Sequence, residues 1–204
     1  MTRSYAVIAM IGLAALSRVI PHPPNFAPIT AMALFGGAYF GSRLLAFAVP
    51  LGAMALSDLI LEALTRSGFY RALIGDNQSA SWLVTGSGFH SGWWGIYGAF
   101  ILIVGVGMLL RKHRSVVPVV GATLFSSCLF FLVTNFQVWA AGVFHPEGAL
   151  YPPTFGGLMT CYAAGTWFFN YTVIGDLFFV GVLFGSFALA QRRVPEVRRA
   201  TVTA

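Results

Sequence analysis

Apolar residues run along this chain in long blocks, and polar residues gather between the blocks. A membrane-crossing helix needs about 20 mostly apolar residues, because each adds about 1.5 Å across a hydrocarbon core of about 30 Å. Six blocks meet or approach that length: Ser4–Ile20, Ala27–Ser42, Leu44–Thr65, Gly92–Leu110, Val116–Gly142 and Thr172–Gln191. The second is the shortest and is rich in glycine. A further apolar stretch, Thr154–Phe169, is about 16 residues long, which suits a re-entrant or interfacial segment better than a crossing. The pattern predicts an all-α polytopic membrane protein: one six-transmembrane-helix domain over residues 1–191, then a short basic tail, 192–204.

Composition narrows the class. The chain is 57% hydrophobic and 9% charged, with a mean hydropathy of +0.78. A soluble domain carries about 25% charged residues. So few charges cannot clothe a water-facing surface, which excludes a soluble enzyme, and so much apolar residue excludes disorder. The net charge of +6 does not point to nucleic acid, because the basic residues sit in short loops and the tail. With six crossings and the N-terminus inside, Arg3, Arg43, Arg111, Lys112, Arg114, Arg192, Arg193, Arg198 and Arg199 share the inner face. Only Arg18, Arg66 and Arg71 fall outside. That bias predicts both termini in the cytoplasm. The first block reads as a mature helix, since Ala14-Ala15-Leu16-Ser17-Arg18 is a poor signal-peptide cleavage site. Cys128 and Cys161 have no metal-site spacing and read as small packing residues.

The few polar residues carry the functional signal, because an ionisable group inside a membrane is costly. In this topology Asp58, Tyr97, Asn135 and Asp176 come from four different spans, and all fall in the outer half. The outer loops carry His22 and Asn25, then Asp76, Trp82 and His90 between Arg66 and Ser91, then His145, Glu147 and Tyr151. Long loops on one face of a bundle usually build a site or a lid. We therefore expect a polar, aromatic-lined cavity open to the outside, with substrate-binding candidates His22, Asn25, Asp58, His90, Tyr97, Asn135, Tyr151 and Asp176. Plainer readings stand beside these. Asp58 can tether a neighbouring helix, Asp176 can sit favourably near a helix N-terminus, and loop histidines are often only solvated. Trp93 and Trp94 fit an interface belt, and His113 belongs to the inner basic run. The Gly37/Gly41 and Gly181/Gly185 pairs read as close helix packing, an exposed pair being a docking face. No Walker A, HExxH or GxSxG motif is present, so no catalytic residue and no ATPase activity is expected.

Several longer strings are distinctive: Ser17-Arg18-Val19-Ile20-Pro21-His22-Pro23-Pro24-Asn25-Phe26-Ala27-Pro28-Ile29, Ala33–Tyr39, Ser57-Asp58-Leu59-Ile60-Leu61, Phe131–Phe136 and Gly175-Asp176-Leu177. Together they resemble a family of small bacterial six-helix membrane proteins related to S-components, the substrate-binding subunits of energy-coupling-factor vitamin transporters, of the BtuM-like cobalamin type. The resemblance implies a bacterial inner-membrane protein that takes up a vitamin from outside, with cobalamin or a related corrinoid as substrate and no resident cofactor. It also implies either an energy-coupling scaffold and ATPase module as partners or solitary action in the lipid. Cobalamin-handling members can use an outer-loop cysteine as cobalt ligand, but this loop reads Asp76-Asn77-Gln78-Ser79-Ala80-Ser81-Trp82. Thiol-based decyanation is therefore not expected, and His22 or His90 is the candidate cobalt ligand. Two other readings remain open: a membrane enzyme acting on a lipid or quinone through Asp58, Asp176 and a histidine, or a non-catalytic assembly subunit that docks through its glycine pairs.

Overall fold

The computed structural model describes residues 2–74, 92–144 and 146–194, and all its regular structure is helical. The elements are α1 (Thr2–Ser17), α2 (Ile29–Tyr39), α3 (Arg43–Arg66), α4 (Phe69–Ile74), α5 (Trp93–Leu109), α6 (Val116–Phe144) and α7 (Phe155–Arg193). Four of them are long and apolar enough to cross a membrane: α3, α5 with its 3-10 extension to Lys112, α6 and α7. Four helices of this kind make the chain a membrane protein by length and composition.

The shortest apolar helix lies at the centre. All of α2 except Ile29 is buried, and α1, α3, α5, α6 and α7 pack around it. Its 11 residues rise only about 16 Å, roughly half of a hydrocarbon core, so it is shorter than the block Ala27–Ser42 suggested. Lipid gives no hydrophobic drive for helices to associate, so close packing of small residues has to hold such a core together. A Cβ on Gly37 would run into the Val104 carbonyl of α5, and one on Gly107 would run into the Leu34 carbonyl of α2. On its other side, Gly36 leaves room for the Pro50 ring in the middle of α3. Phe35 and Tyr39 then meet Phe184 and Phe187 of α7 edge-on or tilted, with centroids 4.5–5.5 Å apart.

Two expectations change here. The stretch Thr154–Phe169 is not a separate re-entrant piece, because α7 runs unbroken for 39 residues. Thr154 caps its start, its hydroxyl accepting from Gly157 N–H at 3.1 Å, and Arg192 and Arg193 close its last turn, where cations are favourable. At about 58 Å, α7 is longer than a whole bilayer with its headgroups. The second change concerns Gly181 and Gly185. A Cβ added at either would meet nothing within 4 Å, so this pair is an outward face and not a packing seam.

The succession of helices gives the bundle two unlike ends. Arg3, Tyr39, Arg114 and the Arg193 end of α7 gather at a basic end. Ser17, Arg66, Phe144 and Phe155 mark the opposite end.

Candidate functional site

The chain between α1 and α2 shapes the site. Pro21, Pro23, Pro24 and Pro28 rule out a continuous helix, and Asn25 takes a left-handed φ of 62°. Phe26 N–H donates back to the Pro23 carbonyl at 3.0 Å and closes the turn. The Phe26 ring lies 5.7 Å from Phe178 and 5.5 Å from Phe179 on α7, and Gly175 leaves no Cβ in the way of its backbone. Irregular backbone at this depth is tolerated where it is buried in protein or lines a cavity.

Beside this turn lies a cavity of about 300 Å³ between α6 and α7. Asn25, Thr134, Asn135, Tyr151 and Thr172 supply its polar rim, and Phe130, Phe131 and Phe168 supply aromatic walls beside Pro24. None of its lining residues is charged. The Asn135 amide rests on Gly165 and donates to the Phe131 carbonyl at 2.9 Å, so its oxygen is held in a fixed place. Cys161 Sγ–H donates to the Asn135 carbonyl at 3.3 Å, and Trp139 Nε1–H donates to the Pro152 carbonyl at 3.1 Å, next to Tyr151. A second cleft of about 660 Å³, lined by Trp94, Gln137, Gly142 and Leu150, lies on the α5 side of α6. Thr134 and Val138 form the shared wall.

Asp176 lies under the floor. It follows Thr172 by one helical turn on the same face, and Ser127 Oγ–H donates to it at 2.6 Å. Thr30, in the first turn of α2, is beside it. Its 2% exposure makes a bare carboxylate costly, and no cation pairs with it among the described residues. The α2 N-terminus and the Ser127 hydroxyl are its compensating partners. Ser127 Oγ is also 3.0 Å from the Thr123 carbonyl, so one hydroxyl proton faces two acceptors.

Asp58 does something else. Its Oδ1 is 2.6 Å from Arg18 Nη2, and Tyr97 Oη–H donates to its Oδ2 at 2.7 Å. Arg18 also donates to Ser57 Oγ, which donates to the Met54 carbonyl at 2.8 Å. Asp58 and Tyr97 therefore tie α1, α3 and α5 together, and neither lines the two cavities.

Of the sequence candidates, the structure brings Asn25, Asn135 and Tyr151 to one cavity and Asp176 to its floor. His22 lines neither cavity, its Nδ1–H donating to the Ile20 carbonyl at 2.6 Å. His90 and His145 lie outside the described residues, as does most of the Arg66–Ser91 loop. Sequence reading missed Thr134, Thr172, Gly165 and Arg18. Thr172 was marked by standing one turn from Asp176, and Arg18 by the need of a buried acid for a cation.

The chain belongs to the family of unknown function DUF6580, whose model matches residues 1–197. No curated protein and no solved structure matches it.

Proposed function

We propose that this protein binds a small organic micronutrient within the membrane and takes it up from the side facing away from the basic end. The cavity bounded by Asn25, Asn135, Tyr151 and Thr172 carries the reading: an uncharged, aromatic-walled recess with Asp176 one turn beyond Thr172. Binding sites for small molecules have this character, with a few fixed polar groups among apolar walls. The basic end faces the cytoplasm by the positive-inside rule, which puts the cavity on the outer side of an inner membrane. The likeness to S-components supports uptake, with a coupling module or solitary action as the two modes of release.

The cavity also shapes the substrate class. Its walls carry no charge and the acid nearest its floor is Asp176, so it favours a neutral or cationic ring with a hydrogen-bonding edge. A corrinoid is larger than this recess. It would have to occupy both clefts and displace the Thr134–Val138 wall between them. Cobalamin is therefore the second choice.

The test is a titration of the full-length protein in nanodiscs, by calorimetry or intrinsic tryptophan fluorescence. The panel holds neutral, cationic and anionic ring vitamins together with cobalamin. A neutral or cationic ring should saturate at micromolar concentration, and Asn135→Ala should weaken it. No saturable binding by any compound would remove the uptake reading, and binding of cobalamin alone would overturn the size argument.

A further inference from the structure

At the basic end, Tyr39 is ringed by arginines. The Arg114 guanidinium lies 4.7 Å from the Tyr39 ring centroid, and the Arg3 guanidinium lies 5.7 Å from it. Arg111 donates its Nε–H to the Gly37 carbonyl at 3.1 Å, two residues before Tyr39. All three side chains are half-buried. Each has a nitrogen that is shielded from solvent and makes no hydrogen bond among the described residues: Arg3 Nε, Arg111 Nη2 and Arg114 Nε. A shielded guanidinium N–H without an acceptor is costly.

No carboxylate of the described chain answers them. Asp58 pairs with Arg18, Glu62 pairs with Arg66, Asp176 is held by Ser127, and Glu147 lies at the opposite end. Burial, with repulsion from Arg3 and Arg111, pushes the Arg114 guanidinium below its ordinary range. Three like charges share one sheltered spot, with donors unused among the described residues, and such an arrangement suits an anion.

We propose that Arg3, Arg111 and Arg114 form a phosphate-binding site at the basic end of the bundle. Guanidinium forks match phosphate oxygens in geometry and bond them more strongly than neutral donors do. The phosphate comes from one of two sources, the phosphodiester of a net-anionic lipid headgroup in the adjoining leaflet or a phosphorylated solute. Basic pockets at cytoplasmic helix ends hold lipid headgroups in this way. The site is separate from the outer cavity and does not depend on the uptake reading.

The experiment uses the full-length protein in phosphatidylcholine nanodiscs and follows its thermal unfolding midpoint. One arm adds inorganic phosphate or pyrophosphate at matched ionic strength. The other replaces part of the lipid with phosphatidylglycerol. The midpoint should rise in at least one arm, and that arm identifies the source. Arg114→Gln should weaken the response about tenfold in concentration, as expected for loss of a charge-assisted bond. The double variant Arg192→Gln/Arg193→Gln, at the same end but exposed, should respond like the parent. Should Arg114→Gln fail to fold, Arg3→Gln gives the same reading, since Arg3 Nε makes no hydrogen bond among the described residues. A parent protein unmoved in both arms would overturn the proposal. So would Arg114→Gln or Arg3→Gln responding like the parent, or the double variant losing the response equally.

Discussion

Arg18 and Asp58 meet at 2.6 Å with side-chain exposures of 10% and 2%, joining the end of α1 to the middle of α3. Removing one member of a buried pair leaves the other charge stranded, at a cost of about 3–5 kcal/mol. Asp58→Ala should therefore lower the unfolding midpoint sharply, whereas the double variant Arg18→Met/Asp58→Leu should recover most of the loss. Ligand affinity of the folded Asp58→Asn protein should stay close to the parent's, because Asp58 does not line the cavity. A large drop in affinity at unchanged stability would restore Asp58 to the binding site.

Gly37 should respond to a methyl group unlike Gly41, Gly181 and Gly185, whose added Cβ would meet nothing within 4 Å. Gly37→Ala forces a Cβ into the α5 backbone, where neither partner can move aside, and should cost about 1–3 kcal/mol. Gly181→Ala and Gly185→Ala open onto free space and should leave the midpoint of the purified monomer unchanged. Unfolding in detergent, read for all three variants side by side, checks this.

These contrasts show what the sequence could tell and why it stopped. Apolar block length placed α3, α5 and α6 to within two residues at each end, because a span needs a fixed rise of apolar chain. It overran α2 by two residues at the start and three at the end, because neighbours bury all of that helix but Ile29 and it need not match the bilayer thickness. It split α7 into Thr154–Phe169 and Thr172–Gln191, because one crossing is expected to take about 20 residues, although the helix ladder runs unbroken through both. Glycine spacing alone could not separate Gly37 from Gly181, since the difference lies in what stands opposite. At the site, the amides Asn25 and Asn135 were legible because uncharged polar groups are scarce in such a chain. The fate of Asp58 was not, because a carboxylate in a span looks the same whether it binds substrate or Arg18.

Asn25 joins two demands, a left-handed backbone and an amide at the cavity rim. Asn25→Gly keeps the first and loses the second, so it should fold like the parent and bind ligand more weakly. Asn25→Val keeps neither, and its β-branched side chain at φ 62° should cost about 1–2 kcal/mol. Thermal unfolding together with ligand titration of both variants separates the roles. Equal affinity in parent and Asn25→Gly would remove the amide from the binding set.

The length of α7 makes a prediction about the membrane itself. A helix rising about 58 Å overshoots a hydrocarbon core of about 30 Å by several turns. If Arg192 and Arg193 anchor its basic end at the cytoplasmic interface, the surplus projects on the other side, carrying Thr154, Phe155 and the first turns of the α6–α7 pairing into the headgroups and beyond. Single cysteines placed at Thr154 and at Ser115, in a background lacking Cys128 and Cys161, should therefore label oppositely in intact cells. A membrane-impermeant maleimide should reach position 154 freely and reach position 115 only after the membrane is opened. Labelling of 115 alone in intact cells would invert the orientation and move the cavity to the cytoplasmic side.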